Sequence, residues 1–202
     1  MKNQTPQSRS VLFLTHAALI AALYVVLTYI ANALGLANGN IQVRFSEALT
    51  ILPFFTPAAI PGLYIGCLLA NILTGCALPD IIFGPIATLI GALGTYFLCK
   101  KSLAHETQRS NEQTQSSGSA KKQFRPGKWL APIPPIVANA IIVPLVLLYG
   151  YGIRPLWFSF VTVTAGEVIS CGIFGMILLA ALSKYRTQLF PKYPTSTSAG
   201  SR

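Results

Sequence analysis

Long uncharged apolar stretches alternate with short polar ones along this chain. No Asp, Glu, Lys or Arg stands between Val11 and Ala33, and none between Trp129 and Gly150. Apolar runs of about 20 residues match the length a helix needs to cross a bilayer. Further apolar stretches cover 46–76, 79–99 and 157–183. The first of these is too long for one straight span, and Pro53, Pro57 and Pro61 interrupt it. Proline removes a backbone donor and kinks or ends a helix, so 46–76 divides into a short helix and a fuller one. The predicted spans are therefore about 10–34, 46–56, 58–76, 79–99, 129–150 and 157–183. A cleaved leader competes for the first of them, because Ala31-Asn32-Ala33 has small residues at cleavage spacing. The apolar run before it exceeds the roughly 7–15 residues of a leader core, which favours a retained helix.

The charges orient the spans. Residues 100–128 carry Lys100, Lys101, Arg109, Lys121, Lys122, Arg125 and Lys128, and their Ser/Gln/Asn-rich middle, 107–120, reads as a flexible loop. Basic segments stay cytoplasmic, as should the amino-terminal tail 1–9 and the tail 186–202. One crossing by 46–76 would put the basic loop outside. Two crossings keep every basic residue inside except Arg44 and Arg154. A re-entrant hairpin has the same parity. The expectation is an all-α integral membrane protein: six transmembrane helices over 10–185, the second short, with both termini cytoplasmic.

Composition agrees. Hydrophobic residues make up 52% and charged residues 10% of the chain, against about 25% charged in soluble domains. The net charge of +10 could suggest a nucleic-acid partner, but its place in loops and tails argues against one. The 4 cysteines, Cys67, Cys76, Cys99 and Cys171, lie in or beside apolar spans with no CxxC spacing and read as small buried hydrophobes. His16 and His105 stand apart, so no metal site is expected. Neither a phosphate-binding GxxxxGK[ST] loop nor a hydrolytic motif is present. The chain is not expected to bind ATP or to be an enzyme.

The informative positions are polar residues in apolar surroundings. Of 5 acidic residues, Glu106 and Glu112 belong to the basic loop, while Glu47, Asp80 and Glu167 lie in or beside spans. Ionisable groups there face a cavity, a partner or a substrate path. Glu167 and Asn139 fall near mid-span and could instead tie two helices together. Glu47 and Asp80 follow helix-start residues, where an acid suits the helix dipole. Gln42, Arg44 and Glu47 cluster where an outer loop meets the membrane, and a plain Arg44–Glu47 salt bridge would also account for them. Asn71 is a further polar residue in an apolar span. Tyr24, Phe54, Tyr149 and Trp157 could stack on a flat ligand or form an interfacial belt. Ala17/Ala21 and Ala18/Ala22, like Gly62/Gly66, repeat at four-residue spacing and permit close helix approach.

Four segments resemble the QueT family: the long stretch from Ile41 to Gly62 beginning Ile41-Gln-Val-Arg-Phe-Ser-Glu-Ala-Leu-Thr50, then Leu78-Pro-Asp-Ile-Ile-Phe-Gly84, Asn139-Ala-Ile-Ile-Val-Pro144 and Gly166-Glu-Val-Ile-Ser170. The likeness covers 10–185 apart from the basic loop. It implies a substrate-binding component of an energy-coupling-factor importer that captures a queuosine precursor. It further implies a transmembrane coupling subunit and two ATPase subunits as partners, ATP being used by those partners and no cofactor by this chain. The first helix of such components presents an Ala-x-x-x-Ala face to the coupling subunit, which Ala17, Ala18, Ala21 and Ala22 would supply. The loop 35–45 would close an outward-facing site.

A 7-deazaguanine presents adjacent N1–H and 2-amino donors that a carboxylate accepts in pairs. Glu47 or Glu167 could provide it. Arg44, Gln42 or Asn139 could donate to the 6-oxo group, and Asp80 could meet the cationic arm of an aminomethyl precursor. Asn71 completes the candidate set. A stand-alone proton-coupled transporter in the cell membrane is the alternative, and a membrane scaffold without a ligand a further one.

Overall fold

The computed structural model describes residues 6–36, 43–114 and 129–185. Among them the chain is all helical. Helix α1 is Pro6–Ala33, a 3-10 helix follows over Phe45–Phe54, and α2 is Ala59–Leu73. Then come α3, Leu78–Thr114, and α4, Ile133–Tyr151. The last rod runs from α5, Leu156–Glu167, through a π-helical segment, Val168–Phe174, into α6, Gly175–Lys184. Two boundaries differ from the expectation. The first helix already begins at Pro6, inside the stretch read as a tail. Residues 101–114, read as loop from their polarity, continue α3 as helix, since the backbone carries on from a rigid apolar span. Residues 115–128 lie outside the described residues.

Four helical segments are long and apolar enough to cross a membrane, Ser10–Ala33, Leu78–Lys100, Ile133–Tyr151 and Leu156–Lys184, and two shorter apolar helices lie between the first two. Contacts settle the direction of the short pair. Gly62 abuts Ala17 and Ile20, and Gly66 one turn later abuts Ala21 and Tyr24, so α2 runs parallel to α1. The 3-10 helix must therefore carry the chain back. It does so alongside α1, with Ser46 Oγ 2.8 Å from Thr28 Oγ1, Glu47 bonded to Tyr24, and Leu52 packed in the cluster of Ile20. At about 2.0 Å rise per residue a 3-10 helix stretches further than an α-helix of equal length. That geometry lets a short segment return most of the way. Ser46 to Phe54 are all buried, so the helix is surrounded on every side.

The remaining passes alternate. Asn71 Nδ2 donates to the Asp80 carbonyl at 2.9 Å where α2 gives way to α3, and Thr95 Oγ1 donates to the Ala131 carbonyl at 2.9 Å where α4 begins. The end of α4 meets the start of α3 through the Ala77 N–H, which donates to the Tyr151 hydroxyl at 3.0 Å. Leu179 of α6 packs with Cys99, Ala131 and Phe54. Lys100 and Lys184 thus share one end of the bundle, the basic end. The chain at 34–36, 74–77 and 152–155 lies at the other.

Small residues set the helix spacing. The ideal Cβ of an alanine at Gly62 would lie 2.7 Å from the Ala17 carbonyl oxygen, and one at Gly66 3.0 Å from that of Ala21. On the neighbouring pair, Gly91 and Gly94 of α3 lie under Pro135 and Pro134. Close backbone approach of this kind replaces a hydrophobic driving force, which is absent between helices in lipid. Large apolar side chains such as Leu14, Leu19, Val26, Ile82, Phe97 and Ile141 point outward, as a lipid-facing surface requires.

This packing predicts that Gly62→Ala costs about 1–3 kcal/mol through overpacking. Its thermal midpoint in detergent should fall. Gly172→Ala serves as control, because its Cβ would meet only Val168 Cγ1 at 3.7 Å. Equal midpoints for Gly62→Ala and the parent protein would refute the close-approach account.

Candidate functional site

Four passes converge on one polar cluster. Arg44, extended at the start of the 3-10 helix, and Glu47 within it face Gly84 and Thr88 of α3, Asn139 and Val143 of α4, and Val163 and Glu167 of α5. These eight residues line a cavity of ≈10 Å³, room for about one water molecule. A second cavity of ≈200 Å³ lies at the basic end, lined by Pro53, Phe54, Phe55, Thr56, Pro57, Tyr96, Cys99 and Lys100. It holds no acid and none of the polar positions singled out in the sequence, so the smaller cavity is the candidate site.

Glu47 is 2% exposed and Glu167 8%. A buried carboxylate is tolerated only when its oxygens find donors. The Tyr24 hydroxyl donates to Glu47 Oε1, and Asn139 Nδ2 donates to Oε2 at 3.4 Å. The Glu47 carbonyl accepts from Thr50 Oγ1 at 2.6 Å. Cys171 Sγ lies 3.3 Å from that same carbonyl and 3.2 Å from Glu167 Oε2. The π-helical segment, which opens directly after Glu167, puts Cys171 in this position. Wide turns of this sort recur at functional sites. One ligand atom each from Glu47, Glu167 and Cys171 lies within 4.8 Å of the others, so two carboxylates and a thiol meet in one place.

Arg44 pairs with Asp80, Nη2 to Oδ2 at 3.2 Å. The simple Arg44–Glu47 salt bridge considered from the sequence is replaced by this pairing. Asp80 is therefore engaged, and it stands behind Arg44. Asn71 backs it in turn through its bond to the Asp80 carbonyl. Gly84 makes room for both, since a Cβ there would lie 2.7 Å from Asn71 Nδ2 and 3.1 Å from Asp80 Oδ1. Arg44 Nε is buried and has no hydrogen-bond partner among the described residues.

The structure thus brings Arg44, Glu47, Asn139 and Glu167 to one cavity, with Asp80 and Asn71 as the layer that holds Arg44. Gln42 lies outside the described residues. The small-residue faces need correction. Ala17 and Ala21 are buried against Gly62 and Gly66 of α2, which leaves them unavailable to another subunit. Ala18 and Ala22 are exposed. Tyr149 and Trp157 point outward at 80% and 69% exposure, and Phe54 lines the second cavity. Thr50, Thr88 and Cys171 were not singled out for the site, and Tyr24, read as a stacking or belt residue, donates to Glu47 instead. Helical spacing carries a signal for two of them: Cys171 is four residues after Glu167, and Thr50 three after Glu47.

A bundle of apolar helices around a buried, acid-lined polar site defines a helical membrane protein. The model of the QueT transporter family matches residues 14–184, and the chain belongs to that family. It is a multi-pass protein of the cell membrane. The queuosine precursor transporter QueT of Lactococcus lactis subsp. cremoris (strain MG1363) is 38% identical over 73 residues. That alignment covers 36% of this chain and 43% of the relative, less than half the length of either. No solved structure matches.

Removing one partner of a buried pair leaves an uncompensated charge and costs about 3–5 kcal/mol. Asp80→Leu is therefore expected to lower the thermal midpoint sharply, and Arg44→Leu/Asp80→Leu to recover much of the loss. A double variant no more stable than the single one would sink the pairing as the source of the cost.

Proposed function

We propose that this protein is the substrate-binding component of an energy-coupling-factor importer and captures a 7-deazaguanine queuosine precursor. Family membership and the name of the lactococcal relative support the substrate class. The observation that carries the reading is the arrangement of unspent hydrogen-bonding groups. Arg44 Nε, buried without a partner, is a donor suited to the 6-oxo group of the base. Glu167 lines the same cavity, and its carboxylate suits the paired N1–H and 2-amino donors. Glu47, with both oxygens accepting from Tyr24 and Asn139, is the less available acid. Val143 and Val163 offer apolar walls to a flat ring.

A bicyclic base is far larger than one water, so capture involves parting these side chains. The basic end faces the cytoplasm by the positive-inside rule. The opposite end, nearest Arg44 and Asp80, faces outward. Ala18 and Ala22 on the outer face of α1 are the surface offered to the coupling subunit, with two ATPases using ATP on its far side. This chain itself needs no cofactor.

The test is binding by the purified protein in nanodiscs, titrated with aminomethyl and nitrile 7-deazaguanines and with guanine and riboflavin as controls. Deazaguanine binding is expected, and Glu167→Gln should weaken it at least tenfold while leaving the protein inserted and folded. Unchanged affinity in that variant would return Glu167 to a structural role. Uptake in cells should require ATP and the coupling subunit. Uptake that persists without that subunit would establish a stand-alone proton-coupled transporter, a reading to which the buried carboxyl pair also lends itself.

A further inference from the structure

We propose that Glu47 and Glu167 share one proton while the site is empty, and that a ligand's protonated primary amine displaces it. The inference rests on the ligand reading above and adds the proton exchange.

The charges around the site carry it. One ligand atom from each acid lies within 4.8 Å of the other's, and both residues are almost wholly buried. Like charges this close in a water-poor interior do not both ionise. The groups facing the pair do not relieve it. Among the described residues Arg44 is the one cation lining the cavity, and Asp80 already neutralises it at 3.2 Å. Tyr24 of α1 donates a neutral hydroxyl, Asn139 of α4 a neutral amide, and Cys171 a thiol. Cys67 of α2, another thiol, lies 3.9 Å from the Asn71 amide. With both acids ionised, the cluster of Arg44, Asp80, Glu47 and Glu167 would hold two uncompensated negative charges. One shared proton halves that excess.

Hydrogen counting at Cys171 points the same way. Its sulfur lies within bonding distance of the Glu47 carbonyl and of Glu167 Oε2. A thiol has one hydrogen, and a carbonyl has none to give. The thiol can therefore serve only one of the two at a time and does not compensate a full charge on Glu167.

The proton balance follows. The empty site holds one proton on the pair. Binding of R–NH3⁺ releases that proton to solvent, leaving both carboxylates ionised with the ammonium as the added counter-charge, so the net charge of the site is unchanged. A neutral ligand leaves the proton in place. Because amine binding releases a proton, raising the pH favours it.

The experiment is titration calorimetry of the full chain in nanodiscs, in phosphate and in Tris at one pH, with aminomethyl and nitrile 7-deazaguanines as probes. The amine should release about one proton per molecule bound, and its affinity should rise up to tenfold per pH unit. The nitrile should release none and show a flat pH profile. Glu167→Gln should abolish the release. Amine binding with no buffer dependence, or full release in Glu167→Gln, would overturn the proposal. Infrared difference spectra of the unsubstituted protein supply a second readout. A buried protonated carboxyl band should be present in the empty protein and vanish on amine binding, and its absence from the empty protein would overturn the proposal equally. If neither probe binds, the ligand reading fails, and the resting band still decides whether the proton is held.

Discussion

A carboxylate buried at the centre of a membrane domain constrains everything around it. Glu47 sits on a helix enclosed on all sides, with neither water nor lipid headgroups to solvate it, so protein groups must do so. Its donors come from separate passes: Tyr24 from α1, Asn139 from α4, and Cys171 of the π-helical segment beside its carbonyl. Satisfying one side chain thereby fixes the relative placement of several passes. Apolar packing in lipid is nearly indifferent to helix rotation, because tails and side chains are alike. Polar contacts of this kind supply the specificity that packing lacks.

The form of the second pass follows from the same constraint. A segment carrying Ser46, Glu47 and Thr50 would be costly against lipid, so it is threaded through the middle of the bundle. There its neighbours must come close. α1 leaves room by packing Ala17 and Ala21 onto glycines of α2, and the last rod approaches where Gly175 would bring a Cβ within 3.2 Å of Ile51 Cγ2. The π-helical segment lies at this level of the rod. Close packing and polar satisfaction are thus two aspects of one arrangement around the 3-10 helix.

Much of this was legible in the sequence, and for identifiable reasons. Hydropathy indicated an all-helical membrane bundle, because burial in a bilayer leaves a strong signal at every position. The three prolines after Leu52 marked the break between the short pass and α2. Glu47, Asn139 and Glu167 stood out because a polar residue in an apolar span needs a reason. Pairing was a different matter. Arg44 is three residues from Glu47 and thirty-six from Asp80, yet it turns to Asp80, and nothing local reveals that. The alanines of α1 show the same limit: four-residue spacing says that a helix will be approached closely, but not by which neighbour. Cys171 passed for a small hydrophobe because its role depends on a helical defect that composition does not announce.

Closure of the site and its chemistry are linked through Arg44. One edge of its guanidinium is held by Asp80, while Nε–H is buried with no acceptor among the described residues. Leaving a buried donor unmade costs free energy, so the closed, empty state is not the most comfortable one available to this residue. A ligand oxygen near Nε would relieve that cost without breaking the Asp80 pair. Glu167 stands on the far side of the same gap, bonded to a thiol, which is a weak partner that a stronger donor readily replaces. Tyr24, by contrast, is a strong partner buried beneath Glu47 and has no reason to let go. The site therefore divides into a fixed half, Tyr24–Glu47–Asn139, and an exchangeable half, Arg44 Nε and Glu167. A protein that must bind a solute and later release it needs both: one to preserve the shape of the site, the other to trade internal contacts for ligand contacts at small net cost.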